Sequence, residues 1–200
     1  MSLAVRSLRV RLDGRPVLRG VALDVAAGEV LAVVGHNGSG KTTLLRVLAG
    51  ILPADEGSVT LLGEPLGRAR RHLGYVPEAA DPPPHLTVAE LEALVASIKR
   101  APPLSDELRE RLGVTSTRDQ RVGSLSLGQR RRACLAAALV GDPWLLILDE
   151  PTNGLDPAGV VELGKLLGER RDAGRGLVLA THELAFAEGL GARRLELRAD

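Results

Sequence analysis

The sequence predicts an α/β fold built on a mostly parallel sheet, and three observations predict it. Short apolar runs at 30–34, 144–148 and 177–180 have the length and composition of strands buried on both faces. Helical segments at 43–49, 126–140 and 157–171 alternate with them, as parallel strands joined by crossover helices require. Between the first such strand and helix stands Gly35-His-Asn-Gly-Ser-Gly-Lys-Thr42, a glycine-rich turn placed to join the two directly.

The remaining elements follow in order. Residues 2–10 and 21–25 carry the alternation of half-buried strands and are separated by Asp13-Gly-Arg-Pro16, a turn signal. With a further short strand at 58–62 they predict an N-terminal antiparallel β region. Gly50 and Pro53 stop the first helix. Another short strand is expected at 73–76. The chain then changes character: Pro77 and Asp81-Pro-Pro-Pro84 make a stiff linker ahead of a helix at 87–99. Thr87 with Glu90 three residues on is a capping-box signature. Pro102-Pro103 breaks that helix, and 105–112 starts another. Residues 78–124 therefore predict a small helical subdomain inserted in a core made by 1–77 and 125–200, all within one domain, 1–200. A last strand is expected at 193–197.

Two hundred residues at 44% hydrophobic and 26% charged are ample for one globular domain with a real core. The net charge of +1 gives no electrostatic case for nucleic acid, and 2% aromatic residues leave few stacking platforms for bases. Cys134, the sole cysteine, sits in an apolar run and reads as a small core residue rather than a reactive thiol. No apolar stretch approaches the ~18 residues of a membrane span. The N-terminus reaches Arg6, Arg9 and Arg11 without the apolar segment of a secretory signal, which points to the cytosol. The chain stops at Asp200, with no appended regulatory domain expected.

The glycine-rich run matches G-x-x-x-x-G-K-[ST] at every required position, and the pattern is a physical device for holding phosphate. Successive backbone N–H groups form a nest that feeds a helix N-terminus, so amides and helix dipole converge on an anion. Gly35, His36, Asn37, Gly38, Ser39, Gly40, Lys41, Thr42 and Thr43 are the expected nucleotide-binding residues of a P-loop nucleoside triphosphatase core. Lys41 supplies a cation for the β- and γ-phosphates, and the Thr42 hydroxyl is placed for Mg²⁺. The strand at 144–148 runs into Asp149 and Glu150. A carboxylate at the C-terminal end of a buried parallel strand emerges beside the P-loop, so Asp149 is a candidate Mg²⁺ ligand and Glu150 a candidate base for an attacking water.

Three further motifs complete a pattern: Leu125-Ser-Leu-Gly-Gln129 opening a helix, Asn153-Gly-Leu-Asp156 after the acidic pair, and His182 after the strand at 177–180. In this order and spacing the chain resembles the ATP-binding subunits of ABC transporters over nearly its whole length. The resemblance implies ATP hydrolysis coupled to transport, with Mg²⁺ and ATP bound. It implies two such subunits, alike or different, sandwiching two ATP molecules head to tail. It also implies an integral membrane permease as partner, so that the chain lies in the cytoplasm, peripheral on the inner face of the cell membrane. Ser126, Gly128 and Gln129 would act on the partner's nucleotide, Asp156 would tie the two sites across the interface, and His182 would contact the γ-phosphate.

Departures from the family pattern carry expectations of their own. Glu78 stands where a glutamine is usual, keeping a hard oxygen ligand for Mg²⁺ while adding charge. It and Leu127, in place of the first signature glycine, look like exporters of the drug, antibiotic and polysaccharide type; a nutrient importer and a regulatory subunit with negligible hydrolysis are the alternatives. Leu12 falls where an aromatic residue normally stacks on adenine, with Arg11 as a substitute platform. Arg130-Arg-Arg132 reads as a solvated helix face, with an arginine at 132 common in the family. Pro82-Pro-Pro84 either stiffens a loop or meets the membrane subunit.

Overall fold

The computed structural model describes residues 2–79 and 81–197. Met1, Ala80 and 198–200 lie outside the described residues, as therefore do one position of the expected helical insert and the chain end at Asp200.

The N-terminal β region is a four-stranded antiparallel sheet of order β2-β1-β4-β5, from β1 (Ser2–Leu12), β2 (Arg15–Ala26), β4 (Glu56–Leu61) and β5 (Glu64–Pro65). The first hairpin turns on Asp13 and Gly14, with φ of 49° and 77°. Two positive φ values match the two-residue turn whose twist suits paired strands. The turn is thus tighter than the four-residue signal implied, and Arg15 and Pro16 join β2. Proline is tolerated there because β2 is an edge strand.

The second sheet has five strands in the order β6-β7-β8-β3-β9, all neighbours parallel: β3 (Val30–Val34), β6 (Leu73–Val76), β7 (Leu145–Asp149), β8 (Gly176–Ala180) and β9 (Arg193–Glu196). Its strands alternate strictly between two cores. Leu31, Val33, Leu145, Ile147, Val178 and Ala180 pack with the antiparallel sheet and α1 (Lys41–Leu48). Ala32, Leu146, Leu148, Leu177 and Leu179 face the other way, onto α5 (Leu127–Leu139) and α6 (Pro157–Asp172). A period of two with both faces apolar is why these strands read as unbroken hydrophobic runs. Short helices α2 (Leu66–Ala69) and α7 (Leu184–Gly189) carry too few turns for an apolar period to show in sequence.

Helices α3 (Val88–Lys99) and α4 (Asp106–Arg111) occupy the segment between β6 and α5. Thr87 caps α3 as expected: its Oγ1 accepts from the Glu90 N–H at 3.1 Å, and the Glu90 carboxylate accepts from the Thr87 N–H at 2.8 Å. The two helices are locked by a buried ion pair, Arg109 Nε to Glu92 Oε2 at 2.8 Å. Cys134 packs half-buried against the α5–α6 core, where burial pushes its thiol up to about 11, so it stays protonated at neutral pH.

Removing one partner of a buried pair strands the other charge, a loss of about 3–5 kcal/mol. Glu92→Ala should therefore lower the unfolding free energy obtained from urea titration, by less than that amount because Arg109 Nη1 keeps Asp106 Oδ1 at 2.6 Å, while Glu92→Gln, which keeps an acceptor, should cost less still.

Candidate nucleotide-binding site

β3 ends at Val34 and α1 starts at Lys41, so the P-loop is the connection between them. Gly40, the residue before the helix, has φ 95°, and a Cβ there would lie 3.1 Å from the Val17 and Leu18 side chains. Both its conformation and its surroundings require glycine. The Lys41 Nζ donates to the carbonyls of Gly35 at 2.8 Å and His36 at 3.2 Å, which holds the cation across the loop. Asn37, Gly38, Gly40, Lys41, Thr42 and Thr43 line a cleft of about 480 Å³ together with Glu78, Asp149, Glu150 and His182. Gly35, His36 and Ser39 support the loop and are not among the residues lining the cleft. Leu12 and Val17 also line it, giving aliphatic surface there.

The strand order assembles this cleft. β6, β7, β8 and β3 are consecutive in the sheet, and their C-terminal ends deliver Glu78, the Asp149–Glu150 pair, His182 and the P-loop in turn. Asp149 is 1% exposed. Burial raises its pKa above the usual carboxylate range; the Thr42 hydroxyl bonded to it opposes the shift, and Glu78 and Glu150 add to it. Glu150 takes φ of +46°, the left-handed region, at a cost of about 1–3 kcal/mol for a residue with a Cβ. Its N–H donates to the Ala180 carbonyl at 2.8 Å, its Oε2 accepts from the His182 N–H at 3.2 Å, and its Oε1 lies 3.5 Å from His182 Nε2. The general-base candidate is thereby oriented by the neighbouring strand.

The residues present fit Mg²⁺. Asp149 Oδ2 is buried and has no hydrogen-bond partner among the described residues, which leaves a hard oxygen beside the Thr42 hydroxyl. The Glu78 carboxylate borders the same cleft. Among the described residues no cluster of three or more His, Cys, Asp or Glu could hold an ion by itself, so phosphate and water oxygens would complete the shell.

The signature residues do not line this cleft. Ser126 caps α5: its Oγ accepts from the Gln129 N–H at 3.3 Å, and Gln129 Oε1 accepts from the Ser126 N–H at 3.0 Å. The next two helical amides, of Leu127 and Gly128, have no intrahelical acceptor by geometry. A Cβ on Gly128 would sit 2.5 Å from the Gly154 carbonyl, so the start of α5 rests directly on the turn that follows Glu150. Leu127 lies over Gly154 yet is 69% exposed. Asp156 caps α6 by accepting from the Gly159 N–H at 3.1 Å and pairs with Arg132 at 2.5 Å, contacts that hold its pKa down.

One expectation is overturned. The arginine run is not a solvated face, because Arg131 is 2% exposed. Its guanidinium donates to the carbonyls of Pro77, Glu78, Asp149 and Glu150. Three consecutive arginines on a helix point in three directions, roughly 100° apart, and one of them turns inward. Arg130 instead faces Asp81 at 3.7 Å, and Arg132 faces Asp156. No local signal distinguishes position 131 from its neighbours.

Fold and site together define a P-loop nucleotide-binding domain with its acidic pair one strand removed from the P-loop strand. Within that class the chain belongs to the ABC transporter family, whose pattern matches residues 18–153. It is 37% identical to the uncharacterised ABC transporter ATP-binding protein YdbJ of Bacillus subtilis strain 168, over 94% of this chain and 63% of that one. It is 39% identical to the zinc import ATP-binding protein ZnuC of Cereibacter sphaeroides, over 91% of this chain and 73% of the relative. It is 32% identical to the lipopolysaccharide export system ATP-binding protein LptB of Escherichia coli K12, over 92% and 81%. The chain thus spans less than two thirds of YdbJ. Among solved structures, the dimeric bacterial ABC transporter cassette MJ0796 superposes with a TM-score of 0.84 at 25% identity, covering 98% of this chain and 94% of that one.

Lys41→Ala removes a charge-assisted contact of about 1.5–3 kcal/mol and should weaken ATP binding roughly 10- to 150-fold in a titration. If Asp149 holds Mg²⁺, only its ionised form would do so, and its pKa is raised. Mg²⁺-dependent nucleotide affinity should therefore fall, as pH drops, at a higher pH than an ordinary carboxylate would give. Asp149→Asn should bind weakly and lose that dependence.

Proposed function

We propose that this chain binds ATP with Mg²⁺ in the cleft above β3, β7 and β8 and hydrolyses it. The observation that carries the reading is the convergence of Lys41, Thr42, Asp149, Glu150 and His182 on that one cleft. Lys41 and the loop amides would hold the β- and γ-phosphates. Glu150 would take a proton from the attacking water, and His182, set against Glu150, would hydrogen-bond a γ-phosphate oxygen. Mg²⁺, held by Thr42, Asp149 and Glu78, would neutralise charge on the phosphate oxygens.

Two copies would complete two sites head to tail. Ser126, Gly128, Gln129 and Asp156 all lie off the chain's own cleft, while the Leu127 and Gly128 amides suit an anion brought by another protomer. That the cassette MJ0796 is dimeric supports the pairing of two copies.

Among the described residues no helix is long and apolar enough to cross a membrane. The transport path would then lie in a separate membrane permease, with this chain peripheral on the cytoplasmic side. A groove of about 310 Å³ beside the Glu78 segment, lined by Tyr75, Pro77, Pro82, Leu91 and Val95, is the docking place we assign to that permease. Residues 78–124 would form the helical subdomain, of which 78–87 would transmit motion between cleft and groove. Glu78 and Leu127 favour export over nutrient import; LptB and ZnuC are named for the two directions. With a net charge of +1, nucleic acid is not a proposed partner.

Glu150→Gln should bind ATP, accumulate as a closed dimer in sedimentation, and release phosphate about 10²–10⁴-fold more slowly. Unimpaired turnover would remove Glu150 from the mechanism. Negligible phosphate release by the unaltered chain would favour a regulatory subunit, a reading that the missing base stack at Leu12 supports.

A further inference from the structure

Arg131 stands four residues beyond Leu127, so about 6 Å of rigid helix separates the start of α5 from its guanidinium's root. Nη1 donates to the carbonyls of Pro77 at 2.5 Å and Glu78 at 3.2 Å, and Nη2 donates to those of Asp149 and Glu150. All four acceptors are main-chain oxygens. One side chain therefore ties the backbone after β6 to the backbone after β7, the two segments that carry Glu78 and the acidic pair into the cleft. Glu150 in particular is held at both ends, its N–H by Ala180 and its carbonyl by Arg131, in a left-handed conformation it would not keep unaided. A second contact reinforces the link, since Gly128 seats on the carbonyl of Gly154 in the turn that follows Glu150.

We propose that Arg131 is a positioning residue that couples the two nucleotide sites. A triphosphate presented by the partner protomer to the start of α5 shifts that helix. Arg131 carries the shift to the backbone of Glu150 and Glu78 in its own cleft. The inference rests on the head-to-tail dimer proposed above and adds the route by which one site senses the other. Allosteric coupling can be carried by such an element when both sites bias its position. The guanidinium fork is suited to the task because it spans both backbone segments at once, which a compact ammonium does not.

The test compares Arg131→Gln and Arg131→Lys with the unaltered full chain. It measures melting temperature, ATP affinity without turnover, kcat per folded molecule, and the shape of the rate against ATP concentration. No Arg131 hydrogen bond reaches the P-loop, so ATP affinity measured without Mg²⁺ should hold. kcat should fall about 10²-fold in the glutamine variant as Glu150 leaves its position; the unaltered chain should give a sigmoidal rate curve and the glutamine variant a hyperbolic one, and a hyperbolic curve from the unaltered chain overturns the coupling. The lysine variant should fall between the two. Lowered melting temperature with kcat and curve shape unchanged would assign Arg131 a purely structural role and overturn the proposal. Should the glutamine variant not fold, the lysine variant decides by the same criterion. An unaltered chain that neither dimerises with ATP nor hydrolyses it overturns the functional reading and this inference with it. A cooperative unaltered chain with equally cooperative Arg131 variants overturns the coupling alone.

Discussion

A parallel sheet buried on both faces has one place where irregular backbone and polar groups can meet solvent, the ends of its strands. Every strand of the five-stranded sheet runs the same way, so all the C-terminal ends share one edge. The order β6-β7-β8-β3 then sets Glu78, Asp149 and Glu150, His182 and the P-loop side by side, although 147 residues of sequence separate Gly35 from His182. The chemistry of the cleft follows from that constraint. Burial against the core raises the pKa of Asp149 and leaves one of its oxygens unpaired, which suits it to a cation. Glu150 holds a left-handed backbone, and its carboxylate reaches His182.

The α5 helix relates this edge to the surface where an anion receptor for a partner's phosphate is proposed. Its first residues spend their side chains on a capping box, while its next turn sends Arg131 inward to the backbone after β6 and β7. Gly128 permits the helix start to rest on Gly154. Receptor and acidic pair are therefore mechanically continuous, through one helix and one buried side chain. A single chain can hold both only because they face different directions, and this is the physical reason that two copies are proposed to complete each other.

Membership of the ABC transporter family rests on the match over 18–153 and on relatives covered over most of this chain. Those relatives are named for import and for export alike. The cleft has the same task in either case, because it handles a triphosphate and not the transported molecule. Direction is proposed instead from Glu78 and Leu127, which lie where this chain departs from the common pattern.

What the sequence by itself determined was whatever local physics encodes. Buried strands appeared as apolar runs, because both faces of a parallel strand are covered. The capping boxes at Thr87–Glu90 and Ser126–Gln129 are short-range hydrogen bonds, the first legible as such and the second read only as part of a signature. The P-loop and the Asp149–Glu150 pair were legible because strand, turn and helix follow each other without a break. Only the tertiary structure decided which arginine of the 130–132 run is buried, since each faces a different neighbour that arrives from distant sequence. It likewise decided the Glu92–Arg109 lock and the bond from the His182 amide to Glu150. These interactions join segments that sequence proximity does not relate, and they exist only once strand order and helix packing have set the distances.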